Sequence, residues 1–301
     1  MSSKAFLAAL AAAATLAAGG AAAQQDFSQV EIKSTRITDT TYMLTGAGGN
    51  IGVSVGEDAV FVIDDQFAPL TGKITAAIAR ITPKPVKFVL NTHWHFDHTG
   101  GNENLGKAGA LIVAHHNVRK RMDSEQLIDF LQMRTKPDPK GALPVVTFSA
   151  DMAFHINGEE IRAIHMPAAH TDGDSVVHFT GSDVIHMGDI YFNGFYPFID
   201  AESGGSADGV VAACDQVLKI ATEKTKIIPG HGPLSNAAEL RAYRDMVATI
   251  SGRVKGLVAQ GKTLEEIKAA KVSADHDEKW GKGFIKPERF AEMLARPLLR
   301  R

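Results

Sequence analysis

The sequence predicts an α/β fold, because short apolar runs of strand length alternate with longer stretches of helical pattern. The chain has 301 residues, which is enough for one large domain or two small ones. It is 45% hydrophobic and 22% charged, close to an average soluble protein. Two successive sets of predicted strands, each flanked by predicted helices, support this fold class.

The first set of elements lies before residue 145. Apolar and alternating runs predict strands at 30–37, 41–45, 51–55, 59–64, 86–90 and 111–114. Pro69 is a favourable first residue for a helix that extends to residue 80. Residues 116–134 are polar and charged and predict a second helix, and the three prolines of 136–144 predict a loop.

The second set of elements follows that loop. Strands are predicted at 152–156, 160–165, 175–180 and 183–186. Helices are predicted at 208–222, from an N-cap at Ser235 to residue 260, after the capping-box sequence Thr263-Leu264-Glu265-Glu266, and at 284–299. Periodicity alone predicts no more than the α/β class.

The stretch from Asn91 to Gly101 reads N-T-H-W-H-F-D-H-T-G-G and is the most informative part of the chain. It places His93, His95, Asp97 and His98 within six positions. Imidazole nitrogen and carboxylate oxygen are the ligand types of catalytic zinc, which needs only three protein ligands per ion. Four such side chains together, with further candidates downstream, indicate two neighbouring metal ions.

A strand and a glycine turn flank this cluster. The apolar run K-F-V-L-N at 87–91 precedes it, and Thr99-Gly100-Gly101 follows it. His93 and His95 are two residues apart, which is not a same-face spacing on a helix. We therefore expect the ligands on a loop at the end of a strand, where rigid scaffolds often carry chemistry.

The H-x-H-x-D-H cluster resembles the signature of the metallo-β-lactamase superfamily. The later motifs of that family are matched by His170 in A-A-H-T-D-G, Asp189 in M-G-D and His231 in P-G-H-G. Each follows an apolar run, at intervals of 72 residues from His98, then 19, then 42. The resemblance spans roughly residues 32–250 and implies a four-layer αββα sandwich.

The resemblance also implies the roles of these residues. His93, His95 and His170 would bind one zinc ion, and Asp97, His98 and His231 a second one. Asp189 would bridge the ions or lean towards the second, and other divalent metals could replace zinc. Asp97 is the predicted catalytic residue, which would orient a metal-bound hydroxide and carry a proton to the leaving group.

Several residues near these motifs are candidates for supporting roles. Thr171, Asp174 and His116 are candidates for hydrogen bonds to the ligating histidines, although ordinary turn or surface positions explain them as well. The aromatic side chains that follow Asp189 either wall a substrate pocket or pack in the core. The pocket candidates are Tyr191, Phe192, Phe195 and Tyr196, in an aromatic loop that extends to Phe198.

Residues 1–23 resemble a secretory signal peptide. Lys4 is their only charge, an alanine-rich apolar stretch follows, and an A-x-A cleavage site ends at Ala23. The alternative is an uncleaved anchor or an alanine-rich helix. We expect a secreted or periplasmic protein in which 24–301 form the catalytic domain with a C-terminal helical extension, without stable membrane association after cleavage.

Charge and cysteine content narrow the partners. The net charge of −2 disfavours nucleic acid, which needs a basic surface. The family resemblance implies a small-molecule substrate. Cys214 is the only cysteine, so the chain has no internal disulfide, and its apolar surroundings predict a buried side chain. The sequence leaves the oligomeric state open.

The substrate follows from the resemblance only in part. The predicted export and the 19- and 42-residue intervals favour a β-lactamase, and hence opening of a cyclic amide. Asp189 stands where such enzymes usually have cysteine, and Phe192 where many place a lysine that binds the drug's carboxylate. A lactonase or thioesterase of the same fold is therefore the alternative, and a non-catalytic metal-binding protein a less favoured one.

Overall fold

A computed structural model describes residues 26–300 of the chain. The predicted signal peptide, residues 1–23, lies outside the described residues. Fifteen strands form within the described range: β1 (Lys33–Arg36), β2 (Thr41–Thr45), β3 (Ile51–Val55), β4 (Val60–Ile63), β5 (Val86–Asn91), β6 (Leu111–His115), β7 (Gln126–Ile128), β8 (Met133–Thr135), β9 (Val146–Phe148), β10 (Asp151–Ile156), β11 (Glu159–His165), β12 (Ser175–Phe179), β13 (Val184–His186), β14 (Lys226–Ile228) and β15 (Ser235–Asn236).

Nine α-helices form in the same part of the chain. They are α1 (Thr71–Ala79), α2 (Phe96–Thr99), α3 (Asn102–Lys107), α4 (His116–Met122), α5 (Ala207–Ile220), α6 (Ala237–Ala259), α7 (Leu264–Ala269), α8 (Asp277–Trp280) and α9 (Pro287–Leu299). Between residues 26 and 300, no helix combines the length and the apolar character needed to cross a membrane.

The strands form two large sheets and one hairpin. The first sheet has the order β1-β2-β3-β4-β5-β6-β9, antiparallel up to β4 and parallel beyond it. The second has the order β10-β11-β12-β13-β14-β15, in which only β13 and β14 are parallel. All four residues of β4 and all three of β13 are buried, as expected for strands covered on both faces.

Three apolar clusters hold the layers together. One joins the facing sides of the two sheets, with Phe61 and Leu90 from the first sheet and Val177 and Phe179 from the second. A second cluster packs α1 and α3 on the outer face of the first sheet. The third packs α5, α6 and α9 against the second sheet and includes the buried Cys214. The predicted αββα sandwich is therefore confirmed.

Two helix predictions need correction. The helix predicted for 116–134 ends at Met122, and a β7–β8 hairpin occupies 126–135. The apolar run around Ile128 and Phe130 is too short for its periodicity to distinguish a strand from a helix. The hairpin buries both side chains in the third cluster. The long helix is capped by Asn236 instead of Ser235, because Ser235 pairs with Ile227 in the second sheet.

Two other local predictions are confirmed. The Thr263 hydroxyl accepts from the backbone N–H of Glu266, whose carboxylate accepts from the N–H of Thr263, which is a complete capping box. The C-terminal helix forms, but it begins at Pro287 instead of residue 284. Phe284 is left in the connection between α8 and α9, which brings it to the site described next.

Candidate metal centre

The predicted ligands meet at one edge of the sandwich. His93 and His95 follow β5, and Asp97 and His98 lie in the single turn of α2. His170 lies between β11 and β12, Asp189 in a 3-10 turn after β13, and His231 after β14. Because β4 and β5 are parallel, as are β13 and β14, the loops that follow their carboxyl ends emerge together.

The seven side chains form two adjacent groups. His93, His95, His170 and Asp189 each place a ligand atom within 4.8 Å of the others, and Asp97, His98 and His231 do the same. Asp189 belongs to the first group and also faces the second. Its Oδ1 is 3.1 Å from His98 Nε2 and 3.3 Å from His231 Nε2, and its Oδ2 is 3.7 Å from His170 Nε2. This carboxylate is placed to contact both groups.

Four of the five imidazoles are held from behind by a second partner. The Nδ1 atom of His98 lies 2.7 Å from Asp64 Oδ2. That of His93 lies 3.0 Å from Thr92 Oγ1, and that of His170 lies 2.9 Å from the Phe198 carbonyl oxygen. His95 is reversed, since its Nε2 lies 3.0 Å from Asp200 Oδ2. Each ring therefore turns one nitrogen into the cluster, as a ligand histidine does.

The cluster fits a metal ion. His93 Nε2 is buried without a hydrogen-bond partner, and His170 Nε2 faces His95 Nδ1 at 2.9 Å. Buried lone pairs that converge in this way are costly unless a cation lies among them. The backbone also approaches so closely that a Cβ at Gly49 would lie 2.1 Å from the His98 ring. The His and Asp set is therefore compatible with metal binding.

The pKa values of most ligand side chains are consistent with metal binding. Burial lowers the pKa of His93 well below its ordinary value and that of His170 to about 4, so both rings are neutral. Burial alone would raise the pKa of Asp189, but His231 and His98 outweigh it and keep the carboxylate ionised. Burial opposes protonation of His231, but the Asp189 charge raises its pKa to about 9, so a metal there has to displace a proton.

The three predicted supporting residues do not contact the ligand rings. Asp174 accepts from the backbone N–H groups of His170 and Thr171, and the Thr171 hydroxyl donates to Asp174. They therefore fix the backbone of the His170 turn instead of its imidazole. His116 is exposed at the start of α4, and its ring packs on His115, so a role at the ligands is not supported.

The three side chains that do hold the rings were missed, and the circumstances differ for each. Asp64 ends a predicted apolar strand in the same way as Asp189, so the strand-end argument could have found it. Asp200 is 105 residues from His95 in sequence, and no local pattern connects them. Thr92 precedes His93 directly, but nothing in its type distinguishes it.

A mostly apolar pocket opens onto the metal cluster. Among the four aromatic candidates only Phe192 lines it, with its ring stacked on His231 at 5.2 Å between centroids. Tyr191 and Tyr196 are buried in the core, where their hydroxyls bond to Ser235 and Asp277. Phe195 is partly buried and packs against the same core, so these three residues follow the core-packing alternative.

The remaining pocket wall comes from five parts of the chain. Phe67 follows the β4 strand, Phe96 lies inside the ligand motif, and Phe198 ends the aromatic loop. Ile128 and Leu131 come from the β7–β8 hairpin, and Phe284 from the connection before α9. The side chains of His95, Asp97, Asp189 and His231 form the polar floor.

Replacement of Asp64 is expected to weaken the metal site. Asp64 Oδ1 accepts from the Thr92 N–H at 2.7 Å, and Oδ2 accepts from the Thr92 hydroxyl and from His98. Asp64→Asn keeps a residue that tolerates the φ of 61°, but it turns an N–H₂ group towards donors. We expect zinc affinity to fall about 10- to 100-fold and the free energy of unfolding by roughly 1–3 kcal/mol.

Competition with a chromophoric chelator measures the zinc affinity, and urea unfolding measures the stability. The matched control is Asp151→Asn, because Asp151 is an exposed carboxylate on β10. Unchanged zinc affinity in Asp64→Asn would contradict the assigned support of His98.

Comparisons with known proteins agree with this geometry. A family model described as the metallo-beta-lactamase superfamily matches residues 44–233. A hydroxyacylglutathione hydrolase from Polaromonas sp. is 25% identical over 183 residues, which are 59% of this chain and 60% of that protein. The chain thus spans less than two thirds of that relative's length.

Two solved structures share the fold at lower identity. A metallo-beta-lactamase from Pontibacter korlensis is 18% identical with a TM-score of 0.59, over 72% of this chain and 99% of that one. The sec-alkylsulfatase Pisa1 from Pseudomonas sp. is also 18% identical, with a TM-score of 0.65 over 88% of this chain and 50% of that one. The family match covers more than half of the chain and every ligand candidate from His93 to His231. The chain therefore belongs to the metallo-β-lactamase superfamily, as its motifs predicted.

Proposed function

We propose that this metal-dependent hydrolase holds two zinc ions and attacks the carbonyl carbon of a small-molecule ester or amide. The observation that carries the proposal is the pair of adjacent ligand groups, in which Asp189 of the first group faces the second. A pocket that Asp97 lines opens onto both groups. Five imidazoles favour zinc over magnesium or calcium, which prefer oxygen ligands. Manganese, iron or cobalt also bind histidine and carboxylate, and metal analysis distinguishes them.

Zinc, when bound, lowers the pKa of coordinated water and polarises a carbonyl oxygen. The chain supplies the proton transfers. Asp97 is the most accessible carboxylate of the cluster, with 15% of its side chain exposed, and its Oδ2 lies 3.4 Å from His231 Nε2. It is placed to accept a proton from the attacking water and to return it to the leaving atom.

The surrounding residues orient the ligand side chains and form an apolar wall beside them. Asp64 and Asp200 hold His98 and His95 in fixed orientations through their outward nitrogens. The phenylalanine rings beside the cluster form an apolar wall, and apolar surroundings strengthen the electrostatic interactions inside the site.

The substrate class lies between a β-lactam, the first candidate from the sequence, and a lactone or thioester. The motif intervals favour the β-lactam. Asp189 and Phe192 favour the lactone and the thioester, because they occupy the positions where β-lactamases typically have a cysteine and a cationic side chain. The name of the Polaromonas relative also supports a thioester.

Turnover of one substrate from each class tests the proposal. The zinc-loaded protein is incubated with nitrocefin, a carbapenem, an aliphatic lactone and an acyl thioester, and its metal content is measured by mass spectrometry. We expect two zinc ions per chain and hydrolysis within at least one class. Two bound ions without turnover in any class would favour a non-catalytic metal-binding protein.

A further inference from the structure

The pocket above the metal cluster has a mostly hydrocarbon wall. Phe67, Phe96, Phe192 and Phe198 stand around the cluster, and the hairpin and the C-terminal segment close the far side. The only ionisable groups that line it are candidate metal ligands, and among residues 26–300 no lysine or arginine lines it. A substrate group that extends away from the metals therefore meets apolar side chains.

The far side of the pocket consists of Ile128, Leu131 and Phe284. Ile128 is buried at the end of β7, and Leu131 and Phe284 are partly buried and pack against the third core cluster. Phe284 lies beyond residues 44–233, the segment that the family model matches. This wall is therefore built partly from the C-terminal segment outside the matched family region.

Three arginines near this wall are already paired. Arg300 and Arg296 lie 2.9 and 3.7 Å from Asp129 Oδ2 on the hairpin. Arg289 donates to the Phe130 carbonyl oxygen at 2.8 Å, and its guanidinium lies 4.0 Å above the Phe130 ring. These contacts tie the hairpin to α9. They also leave none of these three guanidinium groups free to pair with an anionic group in the pocket.

From these observations we infer that the pocket binds an uncharged apolar acyl group, and that Ile128, Leu131 and Phe284 select it. The substrate class is then a neutral aliphatic ester, thioester or lactone instead of an acyl group that carries a carboxylate. This inference rests on the proposed hydrolase function. The acyl group is then the part of the substrate that these three side chains recognise.

A series of p-nitrophenyl esters tests the inference. The acyl groups are acetyl, butyryl and hexanoyl, with succinyl as the anionic match for butyryl. Each buried methylene contributes about 0.8 kcal/mol, so kcat/KM is expected to rise about threefold to fourfold per methylene. We expect the succinyl ester to be hydrolysed at least about tenfold more slowly than the butyryl ester, because its carboxylate has no partner.

Two hairpin variants assign the effect to the wall. Leu131→Lys is expected to flatten the chain-length dependence and to raise the succinyl rate relative to the butyryl rate. Leu127→Lys is the matched control, because Leu127 lies on the same hairpin, is 39% exposed and does not line the pocket. A flat series in the unaltered protein, a faster succinyl ester, or equal behaviour of the two variants would overturn the inference.

Binding separates this inference from the hydrolase proposal. Hexanamide and adipamate, a neutral and an anionic amide of equal chain length, are titrated by ligand-detected NMR, which needs no turnover. Selective hexanamide binding that Leu131→Lys removes supports the pocket assignment even if no ester is hydrolysed, in which case only the hydrolase proposal fails. Absence of hexanamide binding to the unaltered protein overturns the pocket assignment.

Discussion

Removal of bound metal with a chelator is expected to abolish hydrolysis and to lower the melting temperature, and added zinc should restore both. Seven ligand side chains converge, and buried groups such as His93 Nε2 have no protein partner to replace a metal. Zinc at 1,000 times its dissociation constant stabilises the folded state by about 4 kcal/mol. For a domain of this size that corresponds to roughly 10 °C.

Differential scanning calorimetry and a turnover assay on the same samples check this expectation. Magnesium is the matched control for zinc, because it prefers oxygen ligands and should restore neither property. A fall in melting temperature with full activity retained would assign the metal a structural role. Undiminished turnover by demonstrably metal-free protein would contradict the proposed chemistry.

The fold was predictable wherever local pattern and burial coincide. β4 and β13 are buried along their whole length because helices and the facing sheet cover both sides, and both were predicted as strands. The hairpin at 126–135 was not, because Ile128 and Phe130 are buried by α9, which lies about 160 residues later in the sequence. Tertiary contacts of that range leave no periodic signal.

The site was predictable to the same degree. The ligand candidates were identified because their chemistry is concentrated in short motifs that each follow a strand. The supporting residues were not, because one carboxylate placed at any suitable position in the fold can hold an imidazole, as Asp200 does for His95. The apolar wall was also missed, since Phe284 has no ligand motif near it.

Replacement of Asp97 is expected to have the largest effect of any single substitution on the reaction. Asp97→Asn preserves size but removes the charge that faces His231 and His98 at 3.4 and 3.7 Å, and with it the proton acceptor at the pocket floor. Loss of a general acid–base typically lowers the rate about 10²- to 10⁴-fold. We expect kcat to fall within that range, while the melting temperature of the zinc-loaded protein changes little because Asp97 is the cluster's most accessible carboxylate.

The metal content of the Asp97→Asn variant distinguishes two causes of the fall in kcat. If the variant retains two zinc ions at saturating metal, the lost rate belongs to proton transfer; if it retains one, the first group of His93, His95, His170 and Asp189 is filled independently. The exposed Asp151→Asn variant should keep full activity and metal content in the same assays. Full activity in Asp97→Asn would remove Asp97 from the reaction and leave Asp189, which belongs to the first group and faces the second, as the remaining carboxylate of the cluster.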